Sequence, residues 1–193
     1  MADKETLRLY SVDDSFIKDL RDNVDGHVFA NIDPNYDHSR KYLGVVLKIN
    51  GFSYYAPLSS AKKSDYMFMK GRKVIRNSIL PIIRMTETDE NGNRSLMGTI
   101  KLSNMLPVPN DKLIDYDLDS EPDEDYKNLV LKEKRFINRN EEMITSYAEA
   151  LYKEKTGGTS KKGYIVNTFD FKSCFRRTCG QSDHKWTRSY FAI

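Results

Sequence analysis

The apolar positions of this chain change period several times, and the changes divide it into elements. Leu7 to Tyr10 alternates apolar and polar, the pattern of a short half-buried strand. Phe16, Ile17, Leu20 and Val24 then recur at helical spacing. Ser11 or Asp13 can cap that helix, Asp13 and Asp14 suit the positive end of its dipole, and it should stop near Asp25-Gly26. Residues 31–40, NIDPNYDHSR, carry Asp33-Pro34 among small polar residues and read as a loop. Next, Tyr42 to Ile49 is rich in β-branched and aromatic residues, Asn50-Gly51 fits a type I′ turn, and Phe52 to Leu58 returns as the partner strand of an antiparallel hairpin. Pro57 has no amide to give to a ladder, so that strand is expected to end there or to run along an edge. The polar, basic run Ser59-Ser60-Ala61-Lys62-Lys63 follows.

Further strands are expected at Val74–Ile79, Ile82–Met85 and Leu96–Leu102, with Asn91-Gly92-Asn93 turning between the last two. From Ser120 the period becomes helical. Pro122 suits a first turn, and Leu129, Val130, Phe136, Ile137, Ile144, Tyr147, Ala148 and Leu151 form one stripe that ends at Gly157-Gly158. Such a stripe covers a sheet. One helix over this whole span would be long for a globular domain, and a break is expected near its acidic start. The basic loop TGGTSKKG at 156–163, a strand at Tyr164–Val166 and a short helix after Asp170 complete the reading. The fold class is α+β: a small antiparallel sheet packed with helices, with a long helical segment in the C-terminal half.

At 193 residues the chain is expected to form one domain, 1–193, in which 156–193 is a basic C-terminal extension. A 39% hydrophobic and 31% charged composition fits a globular protein and not a disordered one. The start, MADKETLRLYSV, lacks the basic-then-apolar pattern of a secretory signal, and no run has the length of a membrane span. Cys174 and Cys179 stand too close together to staple a secreted scaffold. A cytoplasmic protein is expected.

The formal net charge of +3 conceals a segregation of signs. Residues 36–76 hold nine Lys/Arg against Asp37 and Asp65, and residues 153–193 hold nine against Glu154, Asp170 and Asp183. Between them, residues 111–126 hold eight acids against Lys112. Two basic zones can form a polyanion-binding surface, although charge that merely solvates exposed faces would give the same runs.

Glycine-rich phosphate loops, H-E-x-x-H, EF-hand loops and G-x-S-x-G elbows are all missing from the sequence. Cys174, Cys179 and His184 do not have the spacing of a zinc knuckle and lack a fourth ligand, so no metal and no cofactor is expected. What remains is a group of hydroxyls and cations at the hairpin mouth: Tyr36, His38 and Arg40 before it, Ser59, Ser60, Lys62 and Lys63 after it. An antiparallel hairpin sets the start of its first strand beside the end of its second, which should make Arg40 and Ser60 neighbours.

These residues stand in a recognisable order. Y-x-x-x-R-x-Y-x-G-V-V-L is followed by Y-x-A-P-L-S-S-x-K-K, then I-K-L-S-N-M-L-P-V, then a helix carrying F-I-N-R-N and A-L-Y. The order resembles that of the ToxN/AbiQ family of type III toxin–antitoxin endoribonucleases, over most of the first 155 residues. The resemblance implies a strongly curved antiparallel sheet of the MazF toxin type. It also implies metal-independent RNA cleavage, repressed by a repeat-derived pseudoknot RNA that the toxin cuts from its precursor and binds in a closed assembly. A role in phage defence by abortive infection, acting on cellular and phage RNA, comes with the family; a DNA or membrane partner does not. Matched to this sequence, the family's functional residues fall on Tyr36, Arg40, Ser59, Ser60 and Lys62. Members carrying Lys at the basic position differ from Arg40, whose guanidinium suits phosphate clamping better than proton transfer.

Ribonucleases of this kind use the 2′-hydroxyl of the RNA as nucleophile and leave a 2′,3′-cyclic phosphate, so the protein must align that oxygen, offset phosphorane charge and move protons. Ser60 is expected to orient the 2′-hydroxyl or a phosphate oxygen, and Lys62 and Arg40 to hold the phosphate. Tyr36 can assist proton transfer or stack on a base, and His38 is a candidate proton shuttle. Lys63, Lys70, Arg72, Lys73, Arg76, Lys161 and Lys162 are candidate RNA-binding cations, and Tyr66 a candidate stacking residue. Tyr42 and Tyr54 fit the sheet core better than a base-stacking role. The competing readings are an RNA-binding module without catalysis, built on the same basic patch, and a domain that meets a protein partner through its acidic stretch and basic tail.

Overall fold

A computed structural model of the chain describes residues 8–31, 41–49, 52–158 and 160–178. Strand β1 (Leu9–Val12) leads into helix α1 (Asp14–Asn23), and Asp13 supplies the expected cap by accepting from the amide of Phe16 at 2.9 Å. Strands β2 (Tyr42–Ile49) and β3 (Phe52–Ser60) form the predicted hairpin, whose turn residues Asn50 and Gly51 lie outside the described residues. A short ribbon, β4 (Tyr66–Met69) and β5 (Arg72–Ile75), stands apart from the main sheet. It replaces the single strand expected at Val74–Ile79. Lys70 and Gly71 turn it with φ of 50° and 76°, a left-handed pair that suits a two-residue hairpin loop.

Strands β6 (Ile82–Thr88) and β7 (Arg94–Lys101) pair through the Asn91-Gly92-Asn93 turn as expected. Two short strands, β8 (Leu106–Pro107) and β9 (Leu113–Asp115), complete an antiparallel sheet of seven strands in the order β6-β7-β3-β2-β1-β9, with β8 on β3. Strand β9 opens the acidic stretch and pairs with β1, which the charge pattern did not indicate.

Pro57 corrects one expectation: β3 neither stops there nor lies at an edge. On one side β3 keeps β2, with Leu58 donating to the carbonyl of Lys41 at 2.8 Å. On the other side it changes partner, from β8 at Tyr54 and Tyr55 to β7 at Leu58 to Ser60. Alternate amides of a strand point to opposite sides, so the proline nitrogen faces the changeover, where no ladder bond is needed.

The long helical stripe is broken, but at Asn140 and not near its acidic start. Helix α2 (Glu124–Arg139) ends and α3 (Glu141–Gly157) begins there. The Asn140 side chain donates through Nδ2 to the carbonyl of Phe136 at 2.8 Å while the Asn140 backbone carbonyl accepts from Ile144 at 3.0 Å. An asparagine side chain that takes a backbone partner in this way ends one helix and starts the next. Tyr164–Val166, expected as a strand, lies in the short helix α4 (Gly163–Val166), closed by Thr168 Oγ1 donating to the Tyr164 carbonyl at 2.7 Å. Three residues are too few to define a period, and only Ile165 among them is buried. Helix α5 (Phe171–Thr178) follows Asp170, which caps it through the amides of Lys172 and Ser173.

Helix α2 lies against β6 and β7, α3 against β2, and α5 against β8. Tyr54 of β3 meets Tyr152 of α3 and Phe171 of α5 edge-on, with ring centroids 5.6 and 6.0 Å apart. Tyr42, Tyr54 and Tyr55 are buried, so they belong to the core and not to a base-stacking surface. Because side chains alternate, Tyr54, Ala56, Leu58 and Ser60 form the row of β3 that faces the helices. Ser60 is its exposed last member.

Candidate active site

The run Leu58, Ser59, Ser60 pairs with Ile100, Thr99 and Gly98 of β7. Neighbours in a strand point to opposite faces, so the two serine hydroxyls face opposite sides of the sheet. Each side has its own buried carboxylate.

On the Ser59 side, Ser59, Thr99 and Arg84 form a row across β3, β7 and β6. Arg84 holds Asp65 through Nε at 3.1 Å and Nη2 at 3.0 Å, and both side chains are buried. The other oxygen of Asp65 accepts from the amide of Lys62 at 2.9 Å. The backbone closes the turn: the Asp65 amide donates to the Lys62 carbonyl at 2.9 Å, and the Arg76 amide donates to the Asp65 carbonyl at 2.9 Å. Arg84 is itself fixed through Nη1 to the Asn77 carbonyl at 2.8 Å. The loop carrying Lys62 is thereby latched by its backbone to a buried ion pair, while the side chains of Lys62 and Lys63 stay exposed.

On the Ser60 side, Gly98 stands directly across from Ser60, and Met85 of β6 is the next in the row. A Cβ on Gly98 would stand 3.1 Å from the Ser59 carbonyl oxygen and 3.2 Å from the end of Met85, and would clash with Oε1 of Glu133. The glycine therefore makes the room in which the Glu133 carboxyl of α2 sits. Glu133 is buried, and burial pushes its pKa up to about 7.

The β4–β5 ribbon carries Lys70, Arg72 and Lys73, with Arg76 beyond its end, all exposed and without an acidic residue among them. Lys73 lies 4.1 Å from the centre of the Tyr66 ring, and Phe68, 78% exposed, shares that face of the ribbon. Lys161 and Lys162 belong to a different part of the fold, ahead of α4. Lys161 is exposed, and Lys162 is held by Glu154 at 2.7 Å, whose pKa that lysine, with Tyr164 and Ser160, brings down to about 2.

Tyr36, His38 and Arg40 lie outside the described residues. The residues that flank their segment are both buried and both tied to β1. Asn31 donates to the Val12 carbonyl at 2.5 Å, and Lys41 Nζ reaches Ser11 Oγ at 3.3 Å and lies 3.9 Å over the ring of Tyr116. Burial draws the Lys41 ammonium below the usual lysine range. The Lys41 carbonyl accepts from the Leu58 amide, which holds Lys41 itself beside the start of Leu58-Ser59-Ser60.

Asp65, Arg84 and Glu133 were missing from the sequence-derived candidates. Glu133 did leave a signal: it falls on the buried stripe of α2, three residues after Val130 and four before Ile137, where a carboxylate is out of place. Asp65 and Arg84 left none, since their pairing spans 19 positions between a turn and a strand. Cys174 is buried in α5; Cys179 and His184 lie outside the described residues.

Comparison with known proteins adds the family. The sequence profile described as the toxin ToxN of type III toxin–antitoxin systems matches residues 8–174. An endoribonuclease ToxN from Bacillus thuringiensis subsp. kurstaki is 30% identical over 158 residues, 81% of this chain and 72% of that protein. Among solved structures, one that describes a processed non-coding RNA regulating a bacterial antiviral system superposes with a TM-score of 0.73 at 26% identity, covering 89% of this chain and 96% of the other. Another, describing selective toxin inhibition by a non-coding RNA pseudoknot, gives 0.70 at 25% identity over 90% and 96%.

Proposed function

Since this chain belongs to the ToxN family of type III toxin–antitoxin toxins, we propose that it cleaves RNA at the end of β3, with Ser60 and Lys62 as the groups that meet the scissile phosphodiester. It is an endoribonuclease whose partner is an inhibitory non-coding RNA pseudoknot, and its work is antiviral. We assign that work to the cytoplasm, the compartment in which an RNA substrate and an RNA inhibitor meet the protein. The observation that carries the site is the latch on Lys62. A buried ion pair holds the backbone of a solvent-facing lysine two residues after an exposed serine, which is the preorganisation that charge stabilisation requires.

In this reading the RNA 2′-hydroxyl attacks the adjacent phosphorus, the bond to the 5′ oxygen breaks, and a 2′,3′-cyclic phosphate remains. Ser60 aligns the 2′-hydroxyl. The Lys62 ammonium offsets charge on the non-bridging oxygens, and Arg40 is assigned the same task from the segment that ends at Lys41. Tyr36 and His38 lie on that segment too, with proton transfer as their assigned chemistry. Ser59, on the opposite face, supports the strand: its carbonyl accepts from Thr99 Oγ1 at 3.3 Å. The ribbon cations Lys70, Arg72, Lys73 and Arg76, with Lys63, track the RNA backbone, and Tyr66 and Phe68 give bases an aromatic face. Lys161 extends the cationic surface elsewhere, and Lys162 joins it only where RNA displaces Glu154.

Incubation of the purified protein with RNA in EDTA tests the reading. Fragments ending in 2′,3′-cyclic phosphate are expected, and Ser60→Ala and Lys62→Ala are each expected to lose about 10²- to 10³-fold in kcat, as for one preorganised group. Tight RNA binding with no cleavage would instead assign the surface to a binding module.

A further inference from the structure

We propose that Glu133 is the proton acceptor of this site, taking up the proton of the attacking 2′-hydroxyl through the hydroxyl of Ser60. The inference rests on the RNA-cleaving reading above and extends it to a residue on a different element. Three observations place the carboxyl there. Ser60 and Gly98 are direct partners across β3 and β7, so their side-chain positions lie on one face of the sheet. Gly98 has no side chain, and Oε1 of Glu133 fills the space a Cβ would take. Cross-strand Cβ positions lie about 5 Å apart, which brings the carboxylate to within roughly 8 Å of the Ser60 Cβ. Ser60 is exposed and Glu133 buried, so RNA meets the serine and the carboxylate stands behind it.

The surroundings of Glu133 fit chemistry better than architecture. No protein hydrogen bond or ion pair among the described residues engages it, and at 8% exposure its carboxylate keeps only marginal contact with solvent, which works against folding in the charged form. Its helical neighbours at three and four positions are Leu129, Val130, Phe136 and Ile137, all apolar. From the sheet it is faced by Met85 of β6 and Gly98 of β7, and the strand register sets Ser60 of β3 next in that row. The titratable group coupled to it is Tyr126, two turns earlier in α2, whose own pKa is pushed up to about 12 by burial, with Glu133 and Glu121 adding to the effect. Lys132, the adjacent cation, is engaged by Glu87 of β6 at 2.8 Å. Burial thus leaves Glu133 titrating near neutrality, where a general base is most effective.

The step balances as follows. The 2′ O–H bond breaks and its proton passes to the Ser60 oxygen as the Ser60 proton passes to the carboxylate; the 2′ oxygen bonds to phosphorus. The bond from phosphorus to the 5′ oxygen breaks, that oxygen takes a proton from solvent, and Glu133 later returns its own. At this separation the Ser60 proton reaches the carboxylate through one water, or directly once bound substrate tightens the site, so the RNA-free structure need not join Ser60 to Glu133.

The test uses Glu133→Gln, which keeps size and removes titration, with single-turnover cleavage of a fixed RNA between pH 5 and 9 in EDTA. For the native protein the rate should rise with pH and level off above about 7. Glu133→Gln should lose about 10²-fold in kcat at pH 8, keep KM within about twofold, and lose the rise. Glu133→Asp should recover part of the rate with a displaced midpoint. A Glu133→Gln rate within threefold of native, or a lowered rate with an unaltered pH midpoint, overturns the proposal and leaves the cleavage reading standing. Should Glu133→Gln fail to fold, an unaltered midpoint in Glu133→Asp overturns it equally. Native protein that releases no cyclic phosphate would remove the cleavage reading and this inference together.

Discussion

Asp65 and Glu133 are buried carboxylates placed on opposite sides of the same strand end, and their environments are opposite. Asp65 has all it needs: Arg84 on one oxygen and the Lys62 amide on the other. Glu133 has apolar side chains and a glycine for neighbours, and no ion-pair partner among the described residues. A satisfied carboxylate fixes geometry, because moving it would strand a charge in the interior. An unsatisfied one titrates within the range where proteins work, because burial has raised its pKa and nothing has lowered it again. They flank adjacent positions of β3, Ser59 and Ser60, and the strand's alternation keeps them on opposite faces.

Breaking the satisfied side should have the largest effect. Asp65→Ala leaves the Arg84 guanidinium buried without its partner and is expected to cost about 3–5 kcal/mol in urea denaturation. It also frees the Lys62 backbone, so cleavage should fall even where the variant remains folded. Replacing both members, Asp65→Leu with Arg84→Met, should restore much of the stability, since well-packed apolar pairs often match a buried ion pair. Cleavage should stay low in that double variant, because the Lys62 amide still lacks its acceptor. Recovered activity in it would show that the latch is not what places Lys62.

Neutralising the unsatisfied side should act in the opposite direction on stability. The folded-state pKa of Glu133 is about 7 against an ordinary 4.5, so between those values the native protein holds a proton that the unfolded chain has released. Stability from this group is therefore complete below about pH 4.5, falls as pH rises to 7, and is level above. Glu133→Gln escapes the fall and should be more stable than the native protein at pH 8, by about 3 kcal/mol. The two should be nearly equal at pH 4.5. A variant that gains stability while losing catalysis is the mark of a residue kept for function.

Filling the space between them is the third way to disturb the arrangement. Gly98→Ala puts a methyl group where Oε1 of Glu133 lies, beside the Ser59 carbonyl. Overpacking of this kind costs about 1–3 kcal/mol, and the displaced carboxyl should lower the cleavage rate with little effect on RNA affinity. Gly98→Ala combined with Glu133→Gln should lose no more activity than Glu133→Gln alone, because both act on the same group.

The two carboxylates also mark how far the sequence could be read. The hairpin of β2 and β3, the Asp13 cap and the turn between β6 and β7 rest on local chemistry and were legible. Pro57 was misread because the exchange of β8 for β7 beside it is a tertiary event. The helix break was legible as a need but not as a place, since Asn138, two residues earlier, carries the same side chain as Asn140. Ser59-Ser60-x-Lys62 could be picked out as a motif, whereas its supports come from α2 and β6, whose approach no local pattern encodes. Glu133 alone left a trace, as a charge on an apolar stripe.

The smallest expected effect lies outside both carboxylates, on the β4–β5 ribbon, and it bounds the comparison. If Asp65 and Glu133 divide placement and proton transfer between them, RNA affinity should depend on neither and should respond to the ribbon instead. Lys73 stands over the Tyr66 ring and is exposed, so Lys73→Gln removes one phosphate contact without disturbing the core. Antitoxin RNA binding should weaken slightly, and the slope of log affinity against log salt should shrink by about 1. Phe68→Ala should weaken single-stranded RNA binding by about 1 kcal/mol, the low end for one stacked base, with the salt slope unaltered. Cleavage of bound RNA in a single turnover should proceed at the native rate in both. A slowed bound-state rate in Lys73→Gln would mean that the ribbon reaches the scissile linkage, and that positioning is shared more widely than the Asp65 latch.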